Sequence, residues 1–249
     1  MGRTTRANQA PPSCRATIRG RTDAKAKRTV EHEFWQERWR TRQIGFHQSG
    51  PHPFLERWWP TLEVPAGARV YVPLCGKSLD MVWLAVRGHA VVGSELSAIA
   101  IEEFFGEQQR AAVDVRLHGP FQRHAAGAYE LLQGDVFDLT TLLLGPVQAA
   151  YDRAALVALP PELRVNYALQ FAELVPAGSR TLLIGFEYAQ HRKPGPPFSV
   201  ERDEVERLYR DAFEIRELER VDIIGSSPKF AAAGVDALYE VAYALTRRR

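Results

Sequence analysis

From Arg69 to its C-terminus the chain switches between two hydrophobic periods. Short β-branched and aromatic runs bounded by turn residues read as strands, and apolar positions three and four apart read as helix faces. Arg69–Leu74 (RVYVPL) predicts a first strand, and residues 78–87 (SLDMVWLAVR) a helix that Gly88 stops. Ala90–Gly93 predicts a second strand and Ser97–Gln109 a helix, with Ser97 as N-cap. Tyr129–Leu132 and Ala149–Tyr151 follow as strands, Pro161–Leu174 as a helix, Arg180–Phe186 as a fifth strand and residues 201–212 as a helix. Arg216–Ile223 and Ala237–Ala244 close the chain as two strands with no helix between them, so they are expected to pair antiparallel. Ahead of this pattern, Glu31–Arg42 is an amphipathic helix with an aromatic face of Phe34, Trp35 and Trp39, and Pro53–Trp59 is a second short helix.

Strands alternating with helices of this size build an α/β fold, a mostly parallel sheet covered on both faces. Such a sheet binds its ligand beyond the carboxyl ends of its strands. The first strand ends at Leu74-Cys75-Gly76-Lys77-Ser78. A phosphate-binding P-loop needs glycine where Tyr71 stands, and a dinucleotide fingerprint needs three spaced glycines where only Gly76 is found. A phosphate-poor ligand fits better. The second strand leads to Glu95, 19 residues after Gly76. An acid at about that distance accepts hydrogen bonds from the hydroxyls of an adenosine ribose. A helix-entry acid would look similar, but the spacing favours the ribose. The third strand leads to Asp135, Val136 and Phe137, where an acid could accept from an adenine amine. The fourth ends at Tyr151-Asp152-Arg153, two opposite charges at the crevice, read either as a structural ion pair or as a site whose Arg153 fork holds an anion.

Composition narrows this little. The chain has 249 residues, 45% hydrophobic and 25% charged, which is ordinary globular usage and suits one large α/β domain. Net charge is +2, but residues 1–30 hold eight basic side chains against the single acid Asp23. They are expected to form a disordered basic extension ahead of a domain spanning 31–249. The two cysteines, Cys14 and Cys75, suggest neither a disulfide nor a metal site. No apolar run reaches the ~20 residues of a membrane helix. A cytoplasmic monomer acting on a small molecule, without nucleic acid or membrane, is the expected setting.

Several stretches together resemble the thiopurine S-methyltransferases, especially the bacterial ones: FWQERWRTRQIGFH (Phe34–His47), VPLCGKSLDMVWLA (Val72–Ala85), GHAVVGSELSAIAIEEFF (Gly88–Phe105), GDVFDL (Gly134–Leu139), YDRAALVALPPELR (Tyr151–Arg164) and PGPPFSV (Pro194–Val200). The resemblance implies a class I fold dependent on S-adenosylmethionine (SAM), a Rossmann-like, seven-stranded sheet with a reversed last strand. It implies SAM contacts at Trp35, Trp39, Leu74, Glu95, Asp135, Val136 and Arg153 and a substrate-side aromatic at Phe46; Gly76, whose turn lets a ligand approach the backbone, joins the expected cofactor contacts, and no metal is expected. Ser94 departs from the valine usual there. The implied reaction moves a methyl group from SAM to a thiopurine or a similar thiol or chalcogen acceptor. Arg153 is then the candidate catalytic residue, favouring an anionic acceptor, and His47 is read either as a proton relay or, as is more common for a lone histidine near a helix end, as a structural residue. Thiocyanate or halide is an alternative acceptor. A SAM-binding partner protein without turnover, working through the basic arm, is the alternative of another class.

Overall fold

The computed structural model describes residues 31–109 and 113–249, so the expected extension 1–30 lies outside the described residues. Residues 31–40 are helical (α1), and α2 (Pro53–Trp58) follows, entered through His52, whose ring nitrogen accepts from the backbone N–H of Phe54. The alternating region then runs β1 (Arg69–Val72), α3 (Leu79–Val86), β2 (Ala90–Glu95), α4 (Ala98–Glu107), β3 (Asp114–His118), β4 (Phe121–Ala126), β5 (Tyr129–Gln133), α5 (Thr141–Leu144), β6 (Ala149–Arg153), α6 (Pro161–Leu174), β7 (Arg180–Tyr188), α7 (Arg202–Tyr209), β8 (Phe213–Asp222), α8 (Pro228–Ala231) and β9 (Leu238–Arg247).

One sheet holds all nine described strands in the order β3-β4-β5-β2-β1-β6-β7-β9-β8. Strands β5, β2, β1, β6 and β7 run parallel. β9 runs antiparallel to both β7 and β8, as expected for the last two strands and for a reversed final one, although the short α8 lies between β8 and β9 where no helix was expected. Strand β1 shows why its sequence was legible. Val70 and Val72 face one core with Leu55, Met81, Leu84 and Phe104. Tyr71 faces the other with Leu163, Phe171, Tyr209 and Phe213. A strand buried on both faces carries an unbroken apolar run.

The β3–β4 hairpin adds two antiparallel strands beyond the seven expected. Strand β3 is almost wholly exposed, with Leu117 84% accessible, so it has no buried face to leave an alternating signature. Its charged Asp114–Arg116 pair sits on the open edge, where charge discourages pairing with other chains. Helix α4 begins where expected, but Ser97 Oγ makes no capping hydrogen bond. The Ser97 N–H instead donates to the Glu95 carboxylate at 2.7 Å. Among the described residues no helix is long and apolar enough to cross a membrane.

The strand order reverses about β1, with β2 on one side and β6 on the other, so the crevice opens at the carboxyl ends of these strands.

Candidate active site

The turn after β1 is built from left-handed backbone. Leu74 has φ +46° and Gly76 φ +51°. For leucine this conformation costs on the order of 1 kcal/mol, a strain typical of ligand-binding turns. A Cβ on Gly76 would lie 3.1 Å from Trp39 Cζ2, so the indole from α1 rests directly on the turn. Between these residues Cys75 turns inward and is buried; its N–H donates to the Ser94 carbonyl at 2.9 Å. A Cβ on Gly93 would come within 2.5 Å of Cys75 Sγ, so glycine there makes room for the thiol, whose pKa burial pushes well up.

Glu95 ends β2 and is buried. Oε2 accepts from Gly76 N–H at 2.8 Å and Oε1 from Ser97 N–H at 2.7 Å. Burial raises its pKa, while these backbone donors pull it down. The Leu96 N–H also acts on the carboxylate, which with about four lone-pair sites keeps acceptor capacity for a further donor. Beyond β5, Asp135 Oδ1 accepts from Phe137 N–H at 2.9 Å, and Oδ2 meets His32 Nε2 of α1 at 3.1 Å. Gln170 holds the Val136 carbonyl at 2.7 Å.

The two charges ending β6 part company. Arg153 lines the cavity, donating to the Phe46 carbonyl at 3.2 Å, with Nη1 3.8 Å from Asp80 Oδ2. Asp80 also accepts from His52 N–H at 2.7 Å and from Tyr151 OH at 3.1 Å. Asp152 is buried elsewhere, accepting from Tyr167 OH at 2.7 Å and Leu156 N–H at 3.2 Å, because neighbouring strand residues point to opposite faces. No Asp152–Arg153 ion pair forms between these side chains. Burial pushes the Asp152 pKa up to about 6.

Helix α1 covers this crevice. Trp35 and Trp39 both pack edge-on against Phe46, with ring centroids 5.7 and 5.6 Å away. Gln36 donates to the Leu96 carbonyl at 3.2 Å, and Arg42 pairs with Glu103 at 3.0 Å just beyond the helix end. Phe34 packs on Trp35 and under Arg38 rather than into the cavity. The cavity measures about 880 Å³, and Trp35, Trp39, Phe46, Leu74, Gly76, Glu95, Asp135, Val136 and Arg153 all line it.

A family model for thiopurine S-methyltransferase (TPMT) matches residues 30–248. The chain belongs to the thiopurine S-methyltransferase family. A thiopurine S-methyltransferase of Methylococcus capsulatus is 49% identical over 214 residues, covering 86% of this chain and 96% of that protein. One from Pseudomonas fluorescens is 48% identical, covering 86% and 98%. Among solved structures, the Burkholderia thailandensis 1,6-didemethyltoxoflavin-N1-methyltransferase with bound S-adenosylhomocysteine has a TM-score of 0.58 at 13% identity, covering 98% of this chain and 94% of that one. The fold is that of the class I methyltransferases, and the enzyme is a SAM-dependent S-methyltransferase.

The residues present suit an adenosyl sulfonium. Glu95 offers acceptor capacity to a diol, and aromatic rings suit a sulfonium cation. The buried Trp35 Nε1 has no hydrogen-bond partner among the described residues, leaving a donor for a ligand. His47 lies in a smaller recess with Lys77 and Arg153, where burial and then Lys77 lower its pKa. Sequence reading missed the far wall: Ile184 and Phe186 from β7, Lys193, Pro196 and Pro197 from the following loop, Lys229 and Phe230 from α8, and Glu240 from β9. The PGPPFSV stretch was the one legible signal for that wall. Burial, then the cations of Arg38 and Lys229, lower the Lys193 pKa.

Proposed function

We propose that the cavity holds SAM with its ribose on Glu95, its adenine at Asp135 and Val136, and its methionine end at Leu74, Gly76 and Arg153. The acceptor lies beyond it, under Phe46 and against β7. The observation carrying this reading is the Glu95 carboxylate, buried at the strand end, fixed by the backbone N–H groups of Gly76 and Ser97, and facing the cavity with acceptor capacity left. When bound, SAM supplies an electrophilic methyl group on a sulfonium centre.

The chain's own residues then position and shield. Trp35, Trp39 and Phe46 exclude water from the reacting atoms. Arg153, held by Asp80 and the Phe46 carbonyl, favours an acceptor that arrives as an anion. Alignment of this kind supplies roughly 7–11 kcal/mol of barrier reduction. The acceptor is a thiopurine or a similar thiol or chalcogen species, in keeping with the relatives' names. We also propose that the enzyme acts as a monomer. The unpaired, buried Cys75 suits the reducing cytoplasm. Residues 31–249 form the catalytic domain, with 1–30 appended to it.

Purified protein with labelled SAM, offered 6-mercaptopurine, thiocyanate, selenite and tellurite in parallel, tests the reading. Methylation of 6-mercaptopurine well above thiocyanate is expected. Thiocyanate as the preferred acceptor would replace the thiol assignment, and failure to bind SAM would remove the reading altogether.

A further inference from the structure

Glu240 is a carboxylate that lines the cavity, and in the arrangement proposed above it lies on the acceptor side, away from the residues assigned to the donor. The sheet register sets its place. Arg153 pairs with Ile184, Ile184 with Ala242, and Phe186 with Glu240. Residues directly opposite in a sheet share a face, as do residues two apart in a strand. Arg153, Ile184 and Glu240 therefore look into the cavity from one face, and two strand spacings, about 10 Å, separate β6 from β9. A cation and an anion flank the apolar Ile184 floor.

The carboxylate is held from behind. His52 is 1% exposed, and its Nδ1 accepts from Phe54 N–H at 3.1 Å. Its Nε2 therefore carries the proton and donates to Glu240 Oε1 at 2.9 Å. Oε2 has no protein partner among the described residues. His52 before α2 bonds Glu240 directly, Tyr151 from β6 lies in its field, and Asp80 from α3 and Arg153 from β6 adjoin these two, while Lys193 and Lys229 line the same cavity.

We propose that Glu240 takes the proton from a methyl acceptor that enters the cavity as a neutral thiol. The inference rests on the donor and acceptor placement proposed above. The acceptor's S–H proton passes to Glu240 Oε2, and the sulfur keeps the bonding pair. That pair forms the new sulfur–methyl bond. The methyl–sulfonium bond breaks, its electrons staying on the donor sulfur, which leaves as a neutral thioether. The proton later passes from Glu240 to solvent. An acceptor already ionised at the working pH makes no use of this step, so the carboxylate widens the range of thiols the enzyme can methylate.

A series of thiophenols with acidities spanning neutral pH tests this, with kcat/KM measured at pH 7 for the wild type, Glu240→Gln and Glu240→Asp. Without a base, rate falls roughly three- to fourfold per unit that the thiol pKa lies above the assay pH, because loss of thiolate outweighs the gain in nucleophilicity. The wild type should stay nearly flat across the series. Glu240→Gln should restore the steep fall, losing about tenfold or more two units above pH 7 and under threefold for ionised thiols. Glu240→Asp should recover part of the difference. An equal loss at every acidity, or a steep fall in the wild type itself, overturns the role of Glu240, and the wild-type arm requires no variant to fold. Absence of SAM binding by the wild type in calorimetry would instead abolish turnover with every thiol and overturn the donor assignment with it.

Discussion

The Glu95 carboxylate accepts from the Gly76 backbone N–H at 2.8 Å, joining the end of β2 to the turn after β1. One side chain thus shapes the turn and faces the cavity. Glu95→Ala removes the acceptor for a ligand diol and orphans the N–H groups of Gly76 and Ser97. Hydrogen bonds to charged groups are worth about 1.5–3 kcal/mol, so SAM affinity should fall roughly 10- to 100-fold. Calorimetric titration measures this, and unchanged affinity would remove the ribose assignment.

Gly76→Ala should impair SAM binding and stability together. The left-handed backbone alone disfavours alanine by about 1 kcal/mol. The new methyl also meets the Trp39 ring at 3.1 Å, so α1 must shift away from the turn. A fall in Tm of roughly 2–4 °C is expected, with weaker SAM binding and more exposed tryptophan fluorescence. An unaltered emission spectrum would show that Trp39 does not move.

Arg153→Ala should lower kcat/KM about tenfold or more, with the fold retained. Asp80 keeps its bonds from His52 and Tyr151 after the guanidinium is gone. Arg153→Lys should recover little, because a point charge cannot reproduce the planar fork spanning Phe46 and Asp80. Steady-state kinetics alongside circular dichroism decides this, and turnover like the wild type would take Arg153 out of the mechanism.

Asp152 predicts a pH signature in stability. Folding raises its pKa from 3.8 to about 6, so the folded state holds the proton more tightly than the unfolded state. The stability this confers is present below the unfolded value and is lost as pH rises through about 4 to 6. At about 1.4 kcal/mol per unit, the loss approaches 3 kcal/mol. Asp152→Asn can still accept from Leu156 N–H and donate to Tyr167 OH, yet does not titrate. The difference in unfolding free energy between wild type and Asp152→Asn should therefore shift toward the variant across that window. A constant difference would place the Asp152 pKa in the ordinary range.

The sheet core was legible because its parallel strands are buried on both faces and leave apolar runs such as RVYV and AVV. Glu95 was legible because its distance from Gly76 follows from the length of one strand–helix–strand unit. Strand β3 was not, since exposure on both faces removes any alternation. Asp152 and Arg153 were read together at the crevice, yet a strand sends neighbours to opposite faces, and only Arg153 faces the cavity. The far wall was invisible for another reason. Lys193, Lys229 and Glu240 come from separated segments that only the β7–β9 pairing and the α8 loop bring together. The departure at Ser94 has a local partner, since its hydroxyl meets Tyr71 OH at 2.9 Å.

Cys75 gives this chemistry a safeguard. An enzyme that methylates sulfur carries a sulfur of its own one residue past Leu74, which lines the cavity. The missing side chain of Gly93 lets that atom tuck beneath the sheet end, and burial keeps it protonated. A thiol in that form is a poor nucleophile. The catalyst is thereby protected from alkylating itself, and adding even one methyl at position 93 would crowd both that sulfur and the Leu131 side chain.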